Sequence, residues 1–274
     1  MYEVKIIADS YSFVNNKSIV TMQLTYPRYI HAELMTHRVF SRNASSSRAI
    51  PVKKLIDSSL ENMVMPIRWG LNQAGMQATD DNMNKVDADF CEMIWKDMAD
   101  YCAKGVAKLA ERGLHKQWAN RPLEWFGNIT VVVTATEWDN FFELRRHTDA
   151  QPEIRHLADL MYEALVNSKP ELLKQGEWHL PYVLEEELDL PIETLLKVST
   201  ARCARVSYLT QDGTVPSVEK DVTLYERLVG SVPLHASPCE HQATPLGAND
   251  DNYMQGNFIG WVQHRKLLEQ EFLK

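Results

Sequence analysis

Five consecutive residues, Ile129-Thr130-Val131-Val132-Val133, constrain this chain more than any other stretch. Their β-branched side chains lose rotamer freedom in a helix but fit a pleated surface, so the run reads as the central strand of a sheet. Val4–Ile7 and Ile19–Leu24 read as further strands, with Asn15-Asn16-Lys17 as the turn between them. Elsewhere the period changes. Pro27 fits the first turn of a helix running to about His37 or Arg38. Phe90, Ile94, Met98, Cys102, Val106 and Leu109 recur at helical spacing and predict a long helix over about 88–112, with Gly113 ending it. A short helix is expected over 138–145. Another follows a Thr148 or Asp149 cap, with Pro152 in its first turn and Ile154, Leu157, Met161 and Leu165 buried. Two more are expected near 193–204 and 218–230. Residues 66–86 carry little periodicity and read as a loop or lid.

The 274 residues suffice for one large domain or two small ones, and a formal charge of −8 argues against a general nucleic-acid binder, whose affinity comes from Lys and Arg. Any anion site must therefore be local. Cys91, Cys102, Cys203 and Cys239 form no metal-ligand spacing and read as isolated thiols of a reducing cytoplasm. The first residues lack the pattern of a signal peptide, and no apolar run is long enough to span a membrane.

Three segments concentrate groups able to do chemistry. Thr36 to Arg48 gathers three arginines, a histidine, an asparagine and four serines within thirteen residues, a composition suited to phosphate as well as to an ordinary solvated loop. Glu33 and His37, four apart on the helix expected there, face the same way. Glu143 to Arg155 places cations before a helix N-terminus, which is equally the pattern of a capped helix with surface ion pairs. His235 to His241 holds two histidines six apart around Pro238, so they share no helical face and a regular zinc pair is not expected. Cys239 lacks an identifiable activating base and reads as structural.

Together these segments resemble the flavin-dependent thymidylate synthases. His37, Arg38, Ser41, Asn43, Ser46 and Arg48 match the family's R-H-R-x-x-S-x-N-x-x-S-x-R, with Thr36 at its first arginine. Asn140-Phe141-Phe142-Glu143-Leu144-Arg145 and Ala150-Gln151-Pro152-Glu153-Ile154 match N-F-L-x-L-R and A-Q-x-E-I at the family spacing. Ala204-Arg205-Val206-Ser207 and His235 to His241 match elements that family members carry at their N-terminal end, so the order here is circularly permuted. The resemblance implies an α+β fold over 1–274 as one domain, with a mixed sheet and flanking helices. It also implies a homotetramer with shared active sites, FAD as cofactor, and NADPH and methylenetetrahydrofolate as co-substrates for conversion of dUMP to dTMP.

The resemblance also implies roles. Arg145 is the catalytic arginine at the uracil ring. Glu33, Ser46, Ser47, Arg48 and Arg121 hold the rest of dUMP, and His37, Arg38, Asn140, His235 and Ser237 contact FAD. A cation at the ring nitrogen between the two carbonyls stabilises an electron-rich ring and makes carbon-5 nucleophilic. Thr36 and Thr136 stand where the family has arginines, a loss that Arg28, Arg42 or Arg146 could offset. The same loss leaves open two other readings, a pyrimidine nucleotide hydroxymethylase and a non-catalytic nucleotide-binding protein.

Overall fold

The computed structural model of the chain describes residues 1–78, 83–206, 214 and 216–272. In chain order the strands are β1 (Glu3–Ser12), β2 (Ser18–Pro27), β3 (Ser41–Ala44), β4 (Asn128–Ala135), β5 (Glu171–Leu173), β6 (Ala243–Pro245) and β7 (Trp261–Gln263). The helices are α1 (His31–Met35), α2 (Val52–Glu61), α3 (Lys85–Glu111), α4 (Lys116–Ala119), α5 (Asp139–Arg145), α6 (Pro152–Val166), α7 (Ile192–Arg205), α8 (Val218–Val229) and α9 (His264–Phe272). Five strands form a sheet in the order β3-β4-β2-β1-β5. All its pairings are antiparallel except β1 with β5, so the sheet is mixed. β6 and β7 form a separate two-stranded sheet.

Strand alternation divides the large sheet into two chemically different faces. On one, Val20, Met22, Leu24 and Tyr26 of β2 join Ile129, Val131, Val133 and Ala135 of β4 in the main core, covered by α1, α5 and α6. The other face carries Thr21 and Thr134, both buried, and Val132, which packs against Tyr182, Cys203 and Val206. The helix-covered face is apolar, while the opposite face is polar at its centre.

Several expectations are corrected. Pro27 does not open a helix: it still pairs with Asn128 as the last residue of β2, and a 3-10 turn over Arg28–Ile30 precedes α1. The helix stops at Met35, where the Thr36 hydroxyl donates to the Glu33 carbonyl (2.7 Å). Residues 41–44 form a strand, because the open edge of β4 offers backbone partners that no local propensity announces. The long helix is present over Lys85–Glu111; its buried line runs through Ala99, Ala103 and Val106, and Phe90, Ile94, Met98 and Leu109 lie exposed. α2 has no counterpart among the expected elements. Ser207 lies outside the described residues. Among the described residues no helix is long and apolar enough to cross a membrane.

Candidate active site

The arginine that ends α5 joins two of the three segments. Phe141 and Phe142 anchor α5 in the main core and leave Arg145, in its last turn, at the surface of that packing. Arg145 Nε donates to His37 Nε2 (2.9 Å), while Nη2 donates to Thr36 Oγ1 (3.0 Å) and to the Glu33 carbonyl (3.3 Å). The His37 ring is fixed by stacking on Phe40 and by an edge contact with Phe141. Burial first, then the cations of Arg145 and Arg42, pull the His37 pKa down to about 4. A neutral ring with its proton on Nδ1 can accept from Arg145, so His37 acts here as an acceptor that aims the guanidinium. Thr36, at the position of a family arginine, is a second such acceptor.

Arg145 also lines a cavity of about 990 Å³. Tyr29, Trp95 and Trp125 give it aromatic walls, and Glu33, Arg68, Asp149 and Glu153 join Arg145 as charged groups. Aromatic rings set among many polar and charged side chains suit a flat, polar ligand that stacks on its faces and hydrogen-bonds at its edges. Glu33 Oε2 is buried without a hydrogen-bond partner among the described residues, and a carboxylate so placed is an acceptor for a ligand N–H. The segment read as a lid does line this cavity, through Pro66, Gly70, Gln73, Met76 and Gln77. It is tied to α6 and the turn before it: Ile67 N–H donates to Glu153 Oε1 (2.9 Å), and Gln77 Nε2 donates to the Asp149 carbonyl (3.0 Å). Sequence reasoning missed all three aromatic walls, because scattered single aromatics carry no local pattern.

Ser46, Ser47, Arg48 and Arg121 do not line this cavity. Ser47 and Arg121 instead converge on a carboxylate. Ser47 Oγ donates to Glu124 Oε1, and Arg121 Nη1 lies 3.0 and 3.1 Å from the two Glu124 oxygens. Arg28 Nη1 lies 3.7 Å from the same group. Arg48 is exposed and donates from Nε to Ser46 Oγ (3.4 Å). An anion bound by Ser47 and Arg121 would have to displace Glu124. Glu124→Gln is therefore expected to tighten binding of dUMP, but not of deoxyuridine, by about tenfold, the effect of roughly 1.4 kcal/mol of relieved competition. Calorimetric titration with both ligands checks this, and equal change for both would exclude a phosphate role for the pair.

The remaining flavin candidates divide by exposure. Arg38, Asn140 and His235 are exposed, and Ser237 is half-buried beside Asn43, whose amide lies 3.4 Å from its hydroxyl. The 3-10 turn Ser237–Glu240 packs on β3, which brings the third segment to the first. Cys239 there is fully buried and its thiol is pushed up to about 12 by burial, the opposite of an activated nucleophile.

A buried polar chain runs from this junction across the sheet. In the amide orientation that satisfies its neighbours, Asn43 Nδ2 donates to His241 Nε2 (3.0 Å). His241 Nδ1 meets Thr134 Oγ1 (2.8 Å), Thr134 meets Thr21 (2.6 Å), Thr21 meets His179 Nε2 (2.8 Å), and His179 Nδ1 meets Ser10 Oγ (2.9 Å). One donor sense satisfies every link only if both histidines are neutral, and burial holds each near pKa 3. The folded values lie below the unfolded one, so the unfolded chain binds more protons between them. Stability is complete above about pH 6.5 and falls by about 1.4 kcal/mol per histidine per pH unit below it. Urea unfolding at stepped pH should show this loss. A stability unchanged down to about pH 4 would contradict it.

This is a mixed α/β protein whose site sets an aimed arginine and a buried carboxylate against an aromatic cavity. The chain belongs to the thymidylate synthase complementing protein family, Thy1, whose model matches residues 5–171. A UMP/dUMP methylase, PolB, from Streptomyces cacaoi, solved with 5-Br UMP, is similar at 16% identity and TM-score 0.48, over 61% of this chain and 89% of that one. Thymidylate Synthase X from Helicobacter pylori, solved with FAD and dUMP, is similar at 17% identity and TM-score 0.37, over 54% of this chain and 67% of that one. No curated protein matches the sequence.

Proposed function

We propose that this chain is a flavin-dependent enzyme that transfers a one-carbon unit from methylenetetrahydrofolate to carbon-5 of dUMP, making dTMP. The observation that carries the reading is Arg145, held at three points at the rim of a cavity wide enough for a base and lined by aromatic rings. A uracil stacked on those walls would receive the guanidinium at its carbonyl edge and offer a ring N–H to Glu33. Negative charge developing in the ring is stabilised by a cation already in place, so little reorganisation is needed as the charge grows.

Arg38, Asn140, His235 and Ser237 would hold FAD, which when bound and reduced by NADPH supplies the hydride. The exposed side chains of the first three fit a ligand shared with a neighbouring subunit, as does the separation of Ser46 and Arg48 from the cavity. On this reading the protein is a homotetramer whose order of elements is circularly permuted, and His37 serves the arginine rather than the flavin.

A second reading, methylation of a different uracil nucleotide or hydroxymethylation, is favoured by one observation. The arginines available to replace those lost at Thr36 and Thr136 are already engaged. Arg42 binds the Met35 and His37 carbonyls, Arg146 pairs with Asp159, and Arg28 binds the Ser45 carbonyl beside Glu124. Thr136 Oγ1 itself accepts from Ile259 N–H (3.0 Å). Mass spectrometry after incubation of the flavin-loaded protein with dUMP or UMP, methylenetetrahydrofolate and NADPH decides. Gain of one CH2 on dUMP supports dTMP synthesis, gain of CH2O supports hydroxymethylation, and unchanged nucleotides contradict both.

A further inference from the structure

Residues 252–272 carry none of the motifs above and lie outside the residues matched by the family model, yet two of their amides join the segments that hold flavin candidates. Asn257 follows the 3-10 turn Asn252–Gln255, and Gln263 ends β7. Asn257 Nδ2 donates to the Val39 carbonyl (2.8 Å), next to Arg38, and lies 3.1 Å from Ser41 Oγ at the start of β3. Gln263 Nε2 donates to Asn257 Oδ1 (2.8 Å) and to the Glu240 carbonyl (3.3 Å), in the turn that begins at Ser237. Gln263 and Ser41 are buried, so water competes little for these bonds. The fold leaves room for the amide: Gly256 has φ +60°, and a Cβ there would meet Gln263 Oε1 at 2.5 Å. α9 holds the same turn from its other side. Arg265 pairs with the Glu240 carboxylate, and Leu268 joins Cys239 in one apolar cluster.

We propose that Asn257 and Gln263 are positioning residues for the flavin, an amide clamp that fixes Arg38 and Ser237 at the separation one FAD spans. This rests on the reading of Arg38 and Ser237 as FAD contacts. The turn Ser237–Glu240 is attached to the β3 segment at two points. In its satisfied orientation Asn43 Nδ2 donates to the Ser237 carbonyl (3.1 Å), and the clamp holds the Glu240 carbonyl at the turn's far end. One attachment sets a distance but leaves a pivot, whereas two set direction as well. Contacts fixed before the ligand arrives bind it more tightly, because less ordering is left to the moment of binding. Neither amide lines the cavity at Arg145, so the clamp acts on flavin and not on the nucleotide. The closing segment of the chain is thereby part of the flavin site without touching the cofactor.

Titration of the flavin-stripped full chain with FAD, read by flavin fluorescence, tests the proposal beside calorimetric titration with dUMP. Gln263→Met keeps about the same length and removes the donors, and should raise the FAD Kd by about tenfold while the dUMP Kd stays within about twofold. Asn257→Asp, at a half-buried position, keeps the acceptor for Gln263 and loses the donor to Val39. It should weaken FAD in the same selective way, and it serves if Gln263→Met folds poorly. Asn15→Ala is the control. It frees the same segment elsewhere, by removing the bonds from Asn15 Nδ2 to the Leu246 and Gly260 carbonyls. It should lower the urea midpoint and change neither Kd. An FAD Kd unchanged in both clamp variants, equal weakening of FAD by Asn15→Ala, or equal loss of dUMP and FAD affinity overturns the proposal. A wild type that binds dUMP but no FAD removes the flavin reading itself, and the clamp with it.

Discussion

Arg145→Ala is expected to lower turnover by about 10²–10³-fold, the loss found when one preorganised donor to a developing oxyanion is removed. Flavin content should fall far less. The distinction follows from position. Arg145 lines the cavity, whereas Arg38, Asn140, His235 and Ser237 do not. Its tethers give a graded control. Thr36→Val removes one of three acceptors and leaves His37 and the Glu33 carbonyl, so a much smaller loss is expected. Arg145→Lys keeps a charge but loses the planar fork that reaches three acceptors at once, and should behave closer to Ala than to wild type. Single-turnover kinetics with flavin absorbance recorded on the same samples checks all three. Equal loss of flavin and turnover in Arg145→Ala would make the residue structural.

Asp221→Ala is expected to destabilise the fold by about 3–5 kcal/mol, the cost of stripping one partner from a buried ion group. Arg202 and Asp221 are both 0% exposed. Arg202 Nε donates to Asp221 Oδ2 (2.9 Å), Nη1 to the Tyr182 carbonyl (2.8 Å) and Glu187 Oε2 (2.7 Å), and Nη2 to Glu187 Oε1 (2.6 Å). Arg205 closes the group on the other Asp221 oxygen. Burial alone would raise the Glu187 carboxyl, but hydrogen bonds from Arg202 and Leu184 N–H outweigh it and hold it below its ordinary value. Removing Asp221 leaves Arg202 charged and buried with its Nε unpaired and one of its two carboxylate partners gone, because an arginine cannot shed its proton. Replacing Arg202, Asp221 and Glu187 together by apolar residues of similar size should cost less than the single change, because no buried charge of the group is then left without its partner. Urea unfolding of both proteins checks the order, and a triple variant less stable than Asp221→Ala would contradict it.

What the sequence disclosed followed the strength of local signals. β4 and β2 were legible because β-branched side chains favour pleated sheet whatever surrounds them. α6 was legible because one apolar stripe faces one core. α3 shows the limit. A helix with two apolar sides has a strong period but no label saying which side the fold buries, and the buried side is written in Ala99 and Ala103, whose small side chains signal weakly. β3 and the three-residue strands β5, β6 and β7 owe their existence to the partners that pair with them. The meeting of His37 with Arg145 was foreshadowed by two motifs. The capture of Ser47 and Arg121 by Glu124 was not, since nothing in the spacing says which oxyanion a cation will hold. Arg205, singled out as part of a motif, serves the ion group at Asp221, and its neighbour in that group, Arg202, went unnoticed for want of one.

The central claim is that the site makes carbon-5 of a uracil nucleotide nucleophilic. Both products considered above require the hydrogen at that carbon to leave. Flavin-loaded protein given methylenetetrahydrofolate, NADPH and dUMP tritiated at carbon-5 should therefore release tritium to water, and Arg145→Ala should suppress the release. Retention of tritium on the nucleotide by the wild type, with flavin and nucleotide both bound, would contradict the account.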